Sequence, residues 1–182
     1  MRKDTMEALE KFQVRTFGNK KSIERVEGML WDTEKVLFIT PTNAVIHSVN
    51  TGKKEKLPGV AAVTNQRVIF SYKAAFTEST EMISLPEIRS VESTGNGLTG
   101  GTIRIHAMAK TLEILVTYKK ETMQAIQNLI YKAIDDCRNA GNSSSGQREN
   151  NLEQIEKLHD FLKQGIITEE EFQAKKKQLL GL

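Results

Sequence analysis

"GVAAVTNQRVIFSY", residues 59–72, decides how this chain folds. Two runs rich in β-branched and aromatic residues flank Asn65-Gln66, the pattern of antiparallel strands joined by a tight turn. Asn tolerates positive φ, which such turns favour. Strand-like composition continues on both sides. "EKVLFIT" (34–40) and "AVIHSV" (44–49) are β-rich runs flanking Pro41, and "TGKKEKLPG" (51–59) reads as a charged loop bounded by turn residues. Further strands are predicted near 79–85, 88–94, 101–108 and 111–118. The last is the clearest, with Leu112, Ile114, Val116 and Tyr118 on one face and Glu113 and Thr117 on the other. Strands at this spacing, with only turns between them, predict an antiparallel barrel or sandwich.

Helical periodicity bounds the strands. Over residues 5–30 Met6, Leu9 and Phe12 repeat at helical spacing, Gly18-Asn19 breaks the run, and Ile23, Val26 and Met29/Leu30 resume it. Residues 119–137 form an amphipathic helix whose stripe is Met123, Ile126, Ile130, Ala133/Ile134 and Cys137. The expected architecture is α+β, with seven or eight strands closed by that helix. Its core comprises Val63, Ile69 or Phe70, Ile103, Ile105, Leu112, Ile114 and Val116, under Ile126, Ile130 and Ile134. "NAGNSSSGQ" (139–147) then reads as a flexible linker. The resulting divisions are 1–33 (helical segment), 34–138 (main domain), 139–148 (linker) and 149–182 (helical hairpin).

The hairpin is densely punctuated. Gly165 suits the left-handed ending of one helix, which places Ile166 against Phe161. Thr168 and Glu171 have capping-box spacing, and Ile167 and Phe172 fall at the staple positions of the next helix. Glu153 and Lys157 make a favourable pair one turn apart. A unit this short seldom buries enough surface to fold alone. The stripe of Leu152, Ile155, Leu158, Leu162, Leu179 and Leu180 is therefore expected to meet another surface.

Composition narrows the function. The chain has 182 residues, 38% hydrophobic and 27% charged, as in soluble globular proteins, and no apolar run approaches membrane-spanning length. Its start lacks a signal-peptide core and its one cysteine excludes an internal disulfide, so a reducing, cytoplasmic setting is expected. The net charge of +3 divides into −2 over 149–182 and +5 over the rest, too little to imply nucleic acid.

Two stretches resemble known families. "GVAAVTNQRVIFSY", residues 79–114 and the closing helix resemble bacterial pleckstrin-homology-like (PH-like) domains of the YokE-like branch. "LEQIEKLHDFLKQGIITEEEFQAKKKQLL" (152–180) closely resembles the SHOCT (short C-terminal) domain, whose hallmark run it fills from Leu158 to Leu180. The resemblance implies a PH-like antiparallel barrel of about seven strands capped by its helix, in a family treated as non-enzymatic. It also implies symmetric oligomers, with the SHOCT unit serving oligomerisation or docking on a partner.

Motifs that carry chemistry are few. "GNGLTG" (95–100) fits a dinucleotide fingerprint by letter, but a strand-like run follows where a helix is required, so no cofactor is expected. His47, His106 and His159 have no metal-ligand spacing, and Cys137 reads as a small hydrophobe. Lys53, Lys54 and Lys56 are the best candidates for an anion or lipid contact. Glu55 opposes them, and a solvated loop is the favoured reading. The expected function is a non-enzymatic scaffold that self-associates or binds a protein partner through the hairpin. Peripheral binding to anionic lipid is the alternative, and no catalytic, cofactor or metal residue is assigned.

Overall fold

A computed structural model describes residues 1–49, 51–96, 98, 100–163 and 168–180, with the backbone alone at 141–154 and 178–180. Two short helices, α1 (Lys3–Lys11) and α2 (Lys20–Glu27), precede seven strands. These are β1 (Val36–Ser48), β2 (Lys54–Thr64), β3 (Arg67–Lys73), β4 (Glu78–Ser84), β5 (Ile88–Asn96), β6 (Gly100–Ala107) and β7 (Lys110–Val116). Helices α3 (Lys120–Lys163) and α4 (Glu169–Leu180) follow. The chain divides into two compact units, Met1–Cys137 and Arg138–Leu182.

The strands form one antiparallel sheet in the order β4-β3-β2-β1-β7-β6-β5. Although β4 and β5 are its two ends, only the 3-10 turn Leu85–Glu87 separates them in the chain. The four peptide steps from Ser84 to Ile88 reach roughly 14 Å at most, so the sheet must curl until its ends are neighbours. No ladder joins β4 to β5 among the described residues, so the barrel stays open along that seam. On the β5 side α3 supplies the missing partner. Tyr131 Oη accepts from the Val91 N–H at 3.1 Å, and Gln127 Nε2 donates to the Val91 carbonyl at 2.9 Å.

Two apolar clusters lie on opposite faces of the sheet. Phe38, Val63, Phe70, Ile103, Ile105, Leu112 and Ile114 fill the barrel beneath Met123, Ile126, Ile130 and Ile134 of α3. Val116 is only half-buried at its margin. Ile69 belongs to the second cluster, where Ile39, Val60 and Ala62 are covered by Ala8 and Leu9 of α1 and Ile23 and Val26 of α2. The N-terminal helices thus cover the outer face of β1–β3. A register shift between Val36 and Phe38 marks a bulge at Leu37. It lets Leu37 and Phe38 both face the inner cluster while Val36 and Ile39 face the outer one.

A buried ion pair locks the helical layer to the sheet. Arg67 Nε and Nη2 lie 2.9 and 2.8 Å from the Glu34 carboxylate, which also accepts from the Trp31 N–H at 2.8 Å. Arg67 Nη2 donates to the Met29 carbonyl at 2.8 Å, and its guanidinium stacks 4.0 Å from the Trp31 ring centroid. Asp4 of α1 accepts from the Val36 N–H at 2.8 Å.

Three expectations are corrected. Residues 36–48 are one strand despite Pro41, because β7 pairs with β1 only from Ala44 onward and a missing N–H is tolerated on the free edge. The charged loop shrinks, since Lys54 to Gly59 belong to β2, with Lys54, Lys56 and Pro58 exposed and Glu55, Leu57 and Gly59 half-buried in alternation. The linker at 139–148 has helical backbone continuous with α3. No proline interrupts that stretch, and two glycines cost about 1 kcal/mol each, which propagation between good helical segments can offset. In addition, Asn65 needs no positive φ, as the Thr64 hydroxyl accepts from the N–H groups of Gln66 and Arg67 at 3.1 and 3.0 Å.

Candidate functional site

The register brings three loops to one end of the barrel. His47 pairs with Lys54 across the β1–β2 turn, Lys73 with Glu78 across the β3–β4 turn, and Ser48 with Lys110 at the start of β7. The Val49 N–H donates to the Ala109 carbonyl at 3.0 Å, tying two of these loops together. Inward-facing Lys110 and Glu81 form an ion pair across the mouth. Each loop carries an apolar side chain into solvent: Val49 is 62% exposed, Phe76 101% and Met108 66%. Isolated apolar residues in loops have no periodicity, so nothing in the pattern of the sequence marks them.

The predicted lysines share this end but not one face. Lys53, in the turn, is paired with Glu55, whose carboxylate raises the lysine pKa above its ordinary value. Lys54 and Lys56 project from the outer face of β2. Beside them runs a cross-strand ladder. His47 Nε2 lies 3.3 Å from Glu113, Arg104 lies 3.0 Å from Glu113 and 3.4 Å from Glu92, and His106 Nε2 lies 3.5 Å from Glu92. Glu113, its strongest partner, raises the Arg104 pKa. Oppositely charged neighbours on adjacent strands stabilise a sheet. Among the described residues no group of His, Cys, Asp or Glu is arranged to hold a metal. Gly95 to Gly100 connects β5 to β6, which is a strand–strand connection as expected; Gly97 and Thr99 within it lie outside the described residues.

In the C-terminal unit the predicted capping box is formed. The Thr168 N–H donates to Glu171 Oε2 at 2.9 Å, and the Glu171 N–H donates to Thr168 Oγ1 at 3.3 Å. Phe172 is buried, with the His159 ring 6.0 Å from its own. Phe161, expected in the joint, is instead 44% exposed. Ile155, Leu158 and Leu162 are half-buried. Gly165, Ile166 and Ile167 lie outside the described residues, as do the side chains of Leu152, Glu153, Leu179 and Leu180.

The family model for the bacterial PH domain matches residues 30–132, from the segment between α2 and β1 into α3. This chain belongs to the bacterial PH domain family. The model for the short C-terminal domain, SHOCT, matches residues 153–180. A comparison with curated proteins gives no match. Among solved structures, the Vps36 N-terminal PH domain is 16% identical, covers 59% of this chain and 83% of its own, and has a TM-score of 0.42. The PH domain of USP37 is 12% identical, covers 54% and 97%, and has a TM-score of 0.41. PH and SHOCT domains are in general non-catalytic binding modules. No helix among the described residues is long and apolar enough to cross a membrane.

Proposed function

We propose that this protein is a non-enzymatic scaffold whose C-terminal hairpin docks on protein, first of all a second copy of the chain, with the PH domain as the other contact element. One observation carries the reading. Among the described side chains of Arg138–Leu182, Phe172 alone is buried. So small an interior supports little independent stability. Ile155, Leu158 and Leu162 retain exposed surface, and fully burying a Leu or Ile is worth about 1.5–3 kcal/mol before ordering costs. The test is the mass in solution by light scattering. The full chain should form a defined oligomer, and Leu158→Asp or removal of 149–182 should lower its mass. Equal masses for all three proteins would sink the reading.

Binding to anionic membrane at the loop end is a second reading, favoured by exposed Val49, Phe76 and Met108 beside Lys53, Lys54 and Lys56. Each basic residue adds about 1 kcal/mol near an anionic surface. Lys53 is already paired, so retention on anionic phospholipid vesicles should be weak and lost with added salt. Tight sedimentation that Phe76→Ser and neutralisation of the three lysines abolish would put the membrane reading first.

A further inference from the structure

Gln13, in the connection between α1 and α2, breaks a local rule beside a cavity. It is the only non-glycine residue with positive φ among the described residues, at 50°. Its N–H donates to the Glu10 carbonyl at 3.0 Å and the Val14 N–H donates to the Leu9 carbonyl at 2.9 Å. These two bonds make a Schellman ending for α1, with glutamine where glycine normally stands. A Cβ in that conformation crowds the following carbonyl. Conflicts of this kind concentrate at functional sites.

Gln13 lines a cleft of about 920 Å³, within the range of small-molecule sites. The cleft exists because β7 leaves β1 beyond Ala44. Phe12 wedges into the gap and meets Phe38 edge-on at 5.1 Å, and Ile126 of α3 completes an apolar floor. Lys11, Arg15 and Lys119 stand on the rim, all exposed, and none is in an ion pair among the described residues. Among the described residues no carboxylate lines the cleft. The Lys119 carbonyl accepts from the Met123 N–H at 2.9 Å, so the first turn of α3 starts on this rim. Its positive end adds to the three cations. The free stretch of β1 facing the cleft contains Pro41, which offers no N–H and discourages an added peptide strand.

We propose that the cleft binds a small anionic amphiphile, a carboxylate or phosphate head on an aliphatic body. The head lies among Lys11, Arg15 and Lys119, the body on Phe12, Phe38 and Ile126, and the Gln13 amide serves the head. This site shares no residue with the hairpin or the loop end, and stands whether or not the chain associates.

The experiment is calorimetric titration of the full chain with monomeric decanoate, monomeric decyl phosphate and inorganic phosphate, beside sedimentation with anionic vesicles. At least one decyl ligand should bind saturably, one per chain, and inorganic phosphate at least about tenfold more weakly because it lacks the apolar body. Lys11→Glu, Arg15→Glu and Lys119→Glu together should weaken the decyl ligand at least about tenfold. Gln13→Gly should raise the melting temperature by a few degrees while weakening binding, whereas a purely structural glutamine would change the melting temperature alone. Absence of saturable binding, equal affinity for inorganic phosphate, or unchanged affinity in the charge-reversed protein would each overturn the proposal. Vesicle retention without binding of either monomeric ligand would overturn it as well, by placing lipid attraction elsewhere.

Discussion

Arg67→Ala should cost about 3–5 kcal/mol, because it strands the Glu34 carboxylate in the interior without its cation. The Glu34 side chain is 0% exposed and that of Arg67 8%. The same change removes the bond to the Met29 carbonyl and the stacking on Trp31, both of which hold the segment between α2 and β1 to the sheet. Burial by itself pushes the Glu34 carboxyl up. Hydrogen bonds from Arg67, the Trp31 N–H and the Thr64 hydroxyl, with the Arg67 charge, outweigh burial and hold it below its ordinary value of 4.5. The native pair therefore contributes stability above pH 4.5 that is lost as pH falls through the lower folded value. In the alanine variant burial is left without its main counterweight. The Glu34 pKa should then rise, and the penalty should shrink in acid as the carboxyl becomes neutral. Urea unfolding followed by circular dichroism at pH 7 and pH 4 measures both effects. A cost below about 1 kcal/mol at neutral pH would show a solvated surface pair instead.

Phe70→Ala is expected to be equally damaging, at about 3–5 kcal/mol. Its ring is fully buried in the barrel and lies across Gly59 on the neighbouring strand. A Cβ built on Gly59 would stand 2.8 Å from two atoms of that ring and also press on the Ser71 carbonyl. Gly59→Ala should thus destabilise the native protein strongly and the Phe70→Ala protein less. The two substitutions should couple by at least about 0.5 kcal/mol in a double-mutant cycle. Simple additivity would mean that Gly59 is held by the Ser71 carbonyl alone.

Much of the barrel was legible because solvent lies on one side of many strands. Leu112, Ile114 and Glu113 alternate cleanly, and β7 ends at Val116, close to where that alternation stops. Alternation cannot choose between Ile69 and Phe70, because both faces of β3 are buried and only tertiary packing assigns Phe70 to the barrel and Ile69 to the helical layer. The bulge at Leu37 leaves no mark in composition. Lys54, Glu55 and Lys56 resemble a loop since charge is read as exposure, yet an end of a strand carries charges readily when one face is wet. The capping box of Thr168 and Glu171 was visible because its chemistry is local and specific. The Schellman ending at Gln13 was hidden, because glutamine takes the place of the glycine that normally announces it.

The two ends of the sheet are treated differently, and this limits how copies can join. At β5 the groups of Val91 are already taken by Tyr131 and Gln127 of α3. At β4, Glu78–Ser84 has a strand partner on one side only among the described residues. Unpaired strand edges are templates for further strands. A molecule with two such templates polymerises; with one, addition terminates at the first pairing. Two barrels that meet edge to edge through β4 consume that edge in the pairing, and at Val91 the opposite edge has no free backbone group to offer a further strand.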